Sequence, residues 1–280
     1  MRTRSAALFG AAPLLALALV CSGCAEPSGR ETTGTGKRTA VPVAASGQPV
    51  AAPKPAAGLS EPDPASLPPG SVYRNPRNNR DELVLADIRH TAVLIGDSQS
   101  EPEGSWPRSA LAALGYTVFY AGKSGTGFVA SNSSTGNYID ALQNGDWLLP
   151  YGSPPLIVVQ GGGNDARQGA DDARIKENAD RLLAALRSRY PGSRLLMIGT
   201  LSRGAGNGGG RRAEVDALLG RIAGSADIPF ISVGDWITRY GVGGDLVDGV
   251  HLAGPGHRKL AAVLARRLSE LGLAADVPES

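Results

Sequence analysis

The stretch Thr91-Ala92-Val93-Leu94-Ile95-Gly96-Asp97-Ser98-Gln99-Ser100 decides how the rest of the chain is read. Its apolar, β-branched-rich opening has the pattern of a strand buried on both faces. The run stops at Gly96, where the absence of a side chain allows a sharp turn at the strand's end. Ser98 then stands at the carboxyl edge of a sheet, the place where open α/β sheets bind ligands. A serine there becomes a candidate nucleophile once a base and donors for an oxyanion are found elsewhere in the chain.

Working outward, four more short apolar runs occur at 117–121, 155–159, 195–198 and 229–233. Helical patterns separate them, at 108–115, 138–149 (broken near Gly145), 170–190 and 213–223, and a last one closes the chain from Pro255 to about Leu271. The clearest is 170–190, where Ala179, Leu182, Leu183 and Leu186 keep helical spacing and Pro191-Gly192 ends the pattern. Residues 82–87 read as a short helix or an edge segment, and the glycine-loaded 203–212 as a mobile loop. Strands alternating with helices predict a three-layer α/β/α sandwich around a five-stranded parallel sheet.

Composition narrows the function. Lys+Arg total 28 against 26 Asp+Glu, and removal of a leader containing Arg2 and Arg4 would leave the chain neutral. That balance argues against a nucleic-acid surface. Both cysteines, Cys21 and Cys24, lie near the amino terminus, so nothing downstream forms a disulfide, a thiolate nucleophile or a zinc–thiolate site. No cluster has metal-ligand spacing, and no cofactor is implied.

Arg2 and Arg4 followed by an apolar run over 6–20 have the form of a secretory signal, and the run is short for a membrane span of roughly 20 residues. Ser22-Gly23-Cys24 resembles a bacterial lipobox, with Cys21 departing from the usual aliphatic residue. The resemblance implies cleavage to give a signal peptide of 1–23 and lipid on the sulfur of Cys24. The protein would then sit on the outer face of the cell membrane, with plain secretion as the alternative. Residues 24–72 read as a flexible tether, being rich in Pro, Ala and Gly, and 73–280 as the folded domain.

The strand ends carry the chemistry. Gly122-Lys123-Ser124-Gly125-Thr126-Gly127-Phe128 fails as a P-loop, because Thr117 stands where a glycine is needed. It has dinucleotide-fingerprint spacing through Ala130 but no helix start after it; a loop whose N–H groups face an anion is the other reading. Gln160-Gly161-Gly162-Gly163-Asn164-Asp165 ends the third strand with an amide side chain at the same edge, although a plain turn has the same composition. Asp248 and His251 flank a glycine three positions apart, so one tight loop can pair carboxylate with imidazole. A surface turn or a helix cap would look the same. His90 reads as a surface or capping residue and His257 as a helix residue. Asp97 is expected to hold the turn. Arg167 reads as a ligand for a substrate carboxylate or as half of a surface salt bridge. Trp106, Phe128, Trp147 and Trp236 read as lining of a site or as core and rim.

Taken together, Gly96-Asp97-Ser98, Gly125, Gly162-Gly163-Asn164-Asp165 and Asp248-x-x-His251 resemble the four blocks of the SGNH, or GDSL-like, hydrolases, over about 91–268. Gln99-Ser100 departs from the small or hydroxyl residues usual after the nucleophile. The resemblance implies a flavodoxin-like sandwich and a serine esterase. Its nucleophile would be Ser98, its base His251 and its orienting carboxylate Asp248, with an oxyanion hole from the N–H of Ser98, the N–H of Gly125 and the amide of Asn164. A small-molecule, glycan or lipid ester is the expected substrate. A glycan O-acyltransferase and a non-catalytic envelope-binding lipoprotein are the alternatives. No Gly-x-Ser-x-Gly elbow surrounds Ser98, which disfavours the α/β-hydrolase fold despite the matching Ser, Asp, His order.

Overall fold

The computed structural model describes residues 63–275. The leader, Cys24 and most of the tether lie outside the described residues. A short antiparallel hairpin comes first, β1 (Val72–Asn75) with β2 (Arg80–Leu83), turned at Asn79 with φ 53°. Of the two readings of 82–87, helix or edge segment, the helix falls, because Glu82 and Leu83 end a strand of this hairpin. Leu83 exchanges backbone hydrogen bonds with Leu149 and Tyr151, so its partners are other strands of chain rather than its own next turn. Glu82 accepts from Asn75 and Asn78 and meets Arg189 at 2.8 Å, with only 4% and 9% of the two side chains exposed. Breaking such a buried pair costs about 3–5 kcal/mol.

The remainder alternates as expected. Strand β3 (Thr91–Gly96) leads through helix α1 (Trp106–Ala113) to β4 (Thr117–Gly122), then α2 (Tyr138–Asn144) and β5 (Leu156–Gln160). Helices α3 (Gly163–Arg167) and α4 (Asp172–Arg189) precede β6 (Arg194–Ile198). Then come α5 (Gly210–Ser225), β7 (Phe230–Ile231), α6 (Trp236–Arg239) and α7 (Gly254–Glu270). The five strands β3 to β7 pair in parallel in the order β4-β3-β5-β6-β7, the flavodoxin-like order. The direction of winding reverses between β3 and β5, so Ser98 and Asn164 leave neighbouring strands on either side of the switch point.

Alternation along the strands builds two cores. Val93, Ile95, Ile157, Val159 and Met197 face α2, α4 and α5, where Ile139, Leu182 and Leu219 are buried. Ala92, Leu94, Leu156, Val158 and Leu196 face α1, α6 and α7 through Leu111, Trp236 and Leu264. Each such Leu, Ile or Val contributes roughly 1.5–3 kcal/mol. Both faces of the sheet being covered is why the strands read as unbroken apolar runs.

Helix α5 begins at Gly210, inside the stretch expected to be a mobile loop. Arg211 anchors its first turn, pairing with Asp172 at 2.6 Å and donating to the Ala170 carbonyl at 2.6 Å.

Candidate active site

Directly after β3, Asp97 is buried and its Oδ1 accepts the Gln99 N–H at 2.9 Å. Its carbonyl accepts from the N–H groups of Ser100 and Glu101. That turn lifts Ser98, half-buried, off the sheet edge. Burial pushes the Asp97 carboxyl up to about 6. Asp97 therefore holds the turn, as expected from its position.

From the far end of the chain, His251 brings its Nε2 to 2.8 Å from Ser98 Oγ. Its Nδ1 lies 2.7 Å from Asp248 Oδ2, while Asp248 Oδ1 accepts the N–H groups of Val250 and His251 at 3.0 and 2.8 Å. Gly249, at φ +81°, makes that tight loop possible. Hydrogen bonds from the His251 N–H and ring and from the Val250 N–H hold the Asp248 carboxyl well below the usual carboxylate range. An ionised Asp248 fixes Nδ1 as the protonated ring nitrogen and leaves Nε2 to accept the serine proton.

At the end of β5, Gly162 adopts φ +103° as the cap of α3, and a Cβ there would lie 2.8 Å from the Val215 side chain. That close approach aims Asn164 along the edge. Its Nδ2 donates to the Thr126 carbonyl at 3.0 Å and stands 3.5 Å from Asp97 Oδ2. The longer contact is weak, so one amide hydrogen remains available to a ligand. Asp165, fully buried, accepts the N–H groups of Phe128, Val129 and Ala130 at 2.7 to 3.0 Å. The loop after β4 thus faces an anion, and the anion is the chain's own Asp165. No helix begins at 131–136, so the dinucleotide reading falls.

Ser98, Gly125, Asn164, Asp248 and His251 all border one open cavity of about 730 Å³. The sequence profile of the GDSL-like lipase/acylhydrolase family matches residues 91–259, the span that carries all five. The chain belongs to this family.

A multidomain esterase of Ruminococcus flavefaciens is 27% identical over 146 residues, half of this chain. The match covers 19% of that protein, so the chain spans about a fifth of its length. Among solved structures, a lipolytic G-D-S-L family protein of Veillonella parvula is 15% identical with a TM-score of 0.50, covering 64% of this chain and 98% of that one. A family two carbohydrate esterase of Cellvibrio japonicus is 18% identical with a TM-score of 0.53, covering 65% and 61%. At these identities the likeness concerns the GDSL fold.

Other residues of the candidate site were not legible in the sequence. His257, read as a helix residue, borders the cavity, and its Nδ1 accepts the Trp106 N–H at 3.2 Å. Gln99, noted only as a departure from the family pattern, is buried and donates to the Val250 carbonyl at 3.0 Å. Arg212, placed in a supposed loop, borders the cavity beside Arg167. Position within a family block was a signal for Asp165 and Gln99; nothing local marks His257 or Arg212. Trp106, Phe128, Trp147 and Trp236 are buried in the two cores and do not border the cavity. His90 is bonded to Asp87, Nδ1 to Oδ2, at 2.6 Å. Among the described residues, no three His, Cys, Asp or Glu side chains are grouped as a metal site.

Proposed function

We propose that the protein is a serine esterase working through an acyl-enzyme. One observation carries this reading: a continuous relay from Ser98 Oγ through His251 to Asp248, with links of 2.8 and 2.7 Å. Ser98 Oγ attacks the ester carbonyl carbon while its proton passes to His251 Nε2. The N–H groups of Ser98 and Gly125 and the Asn164 amide receive the oxygen as it becomes negative. His251 then protonates the departing alcohol oxygen, leaving the acyl group on Ser98. A water molecule repeats the sequence in reverse and frees the acid. Asp248 stabilises the imidazolium at each stage and keeps its own proton off.

An acylated carbohydrate is the substrate class we favour, supported by the esterase and carbohydrate-esterase names of the relatives and by the open cavity. The signal-like start and the lipobox-like Cys24 support attachment to the outer face of the cell membrane; loss of lipid mass in Cys24→Ser tests that part. For the enzyme reading, Ser98→Ala is expected to abolish both short-chain nitrophenyl ester turnover and labelling by a fluorophosphonate probe. Undiminished labelling of that variant would falsify the assignment.

A further inference from the structure

Charges around the cavity are unevenly satisfied. Glu101 is held by Lys123 at 2.9 Å and by the Ser124 N–H at 3.0 Å, and Asp248 is held by His251 at 2.7 Å. Arg167 and Arg212, which border the same cavity, have no carboxylate within 4 Å among the described residues. Arg212 has a single long hydrogen bond, 3.4 Å to Thr200 Oγ1.

Three features make that unpaired charge costly. Arg212 is half-buried, so its guanidinium has given up part of its hydration. It occupies the first turn of α5, whose positive dipole end disfavours a cation. Asp97 and Asp248 attract it from beyond ion-pair distance, while the charge of Arg167 repels it. Its neighbour Arg211 shares the same turn and answers the problem by direct pairing with Asp172 and Glu214; Arg212 has only the longer-range attraction of Asp97 and Asp248. Gly163 matters here, because a Cβ at that position would lie 2.5 Å from Arg212 Nη1. The bare glycine lets the guanidinium lie against the chain one residue before Asn164, beside the reacting centre.

We propose that Arg167 and Arg212 form an anion subsite and that the natural ester carries an oxyanion, carboxylate or phosphate, near its scissile carbonyl. The inference rests on the esterase reading and names the charge of its substrate. A planar donor fork suits either oxyanion and binds it by two parallel hydrogen bonds. An incoming anion would relieve the burial, dipole and repulsion costs at once. The charge resides on the acyl group or on the alcohol, as in an acidic sugar.

The full chain separates these sources with paired chromogenic and aryl esters. Mono-4-nitrophenyl glutarate against 4-nitrophenyl valerate probes the acyl side. 3-Acetoxybenzoate and 3-acetoxyphenyl phosphate, each against 3-acetoxybenzamide, probe the alcohol side. The expected result is a charged-to-neutral ratio of kcat/KM of about tenfold or more in at least one arm. That ratio is expected to fall about tenfold in Arg167→Gln and in Arg212→Gln. Arg167 is exposed, so its variant keeps the test open should Arg212→Gln not fold. Ratios at or below one in every arm, or ratios that both variants leave intact, would overturn the subsite while neutral esters still turn over. Silence on all esters together with absent labelling of Ser98 would instead remove the esterase reading, and the subsite with it.

Discussion

The Gln99 side chain donates from Nε2 to the Val250 carbonyl at 3.0 Å, across 151 positions of sequence. The residue after the candidate nucleophile thereby ties down the loop that carries the candidate base. Val250 is also the residue whose N–H feeds Asp248 Oδ1, so one bond braces both ends of the relay. The departure from the family pattern at Gln99 thus concerns the positioning of the relay.

Gln99→Leu keeps the buried volume and removes the tether. Misplacing a reacting group by about 1 Å can cost roughly 10²-fold. We expect kcat to fall about 10- to 100-fold on that account, with KM changed far less. Steady-state kinetics on a neutral nitrophenyl ester checks this, and wild-type kcat in the variant would remove the positioning role.

Asn164→Ala deletes the side-chain donor at the oxyanion position. One such donor is worth about 10²–10³ in kcat, or about 2.7–4 kcal/mol. Pre-steady-state acylation is the measurement to make, and acylation at the wild-type rate would exclude the amide from the hole.

Asp165→Asn turns one acceptor oxygen of a buried carboxylate into a donor facing three backbone N–H groups. Hydrogen bonds to a charged group are worth about 1.5–3 kcal/mol each, so a loss of about 2–4 kcal/mol in unfolding free energy is expected. The loop that carries Gly125 should loosen as well. Urea denaturation and amide hydrogen exchange at 128–130 test the two halves of this statement.

Asp97 gives a pH signature. Its folded value, about 6, lies above an unfolded value of about 3.9. The folded state therefore binds the extra proton between those values, and stability falls as pH rises through that window. The difference in unfolding free energy, wild type minus Asp97→Asn, is expected to drop by on the order of 2–3 kcal/mol from pH 4 to 7. A flat difference would show that Asp97 titrates normally in the fold.

Strand and helix patterns were legible along the chain because burial on both sheet faces writes itself into local composition. Residues 91–95 and 155–159 are apolar without interruption for that reason, and α4 shows its buried stripe at Ala179, Leu182, Leu183 and Leu186. The blocks containing Ser98, Asn164 and His251 were legible because each is a short run of unusual residue types at a strand end or loop. The attachment of the hairpin β1–β2 was not, since Leu83 bonds to Leu149 and Tyr151, far along the chain.

What the sequence determined by itself was the alternating α/β fold, the family and the three residues Ser98, Asp248 and His251 as one candidate constellation. All of that depends on periodicity and on motifs a few residues long. The surroundings of that constellation came from the three-dimensional fold: Gln99 on Val250, Asp165 under the Gly125 loop, His257 against Trp106, and Arg212 with no carboxylate within 4 Å among the described residues. The hydrogen bonds among them join segments 37 to 151 positions apart. Hydrogen bonding and charge act through space, so their partners leave no local pattern for a sequence to display.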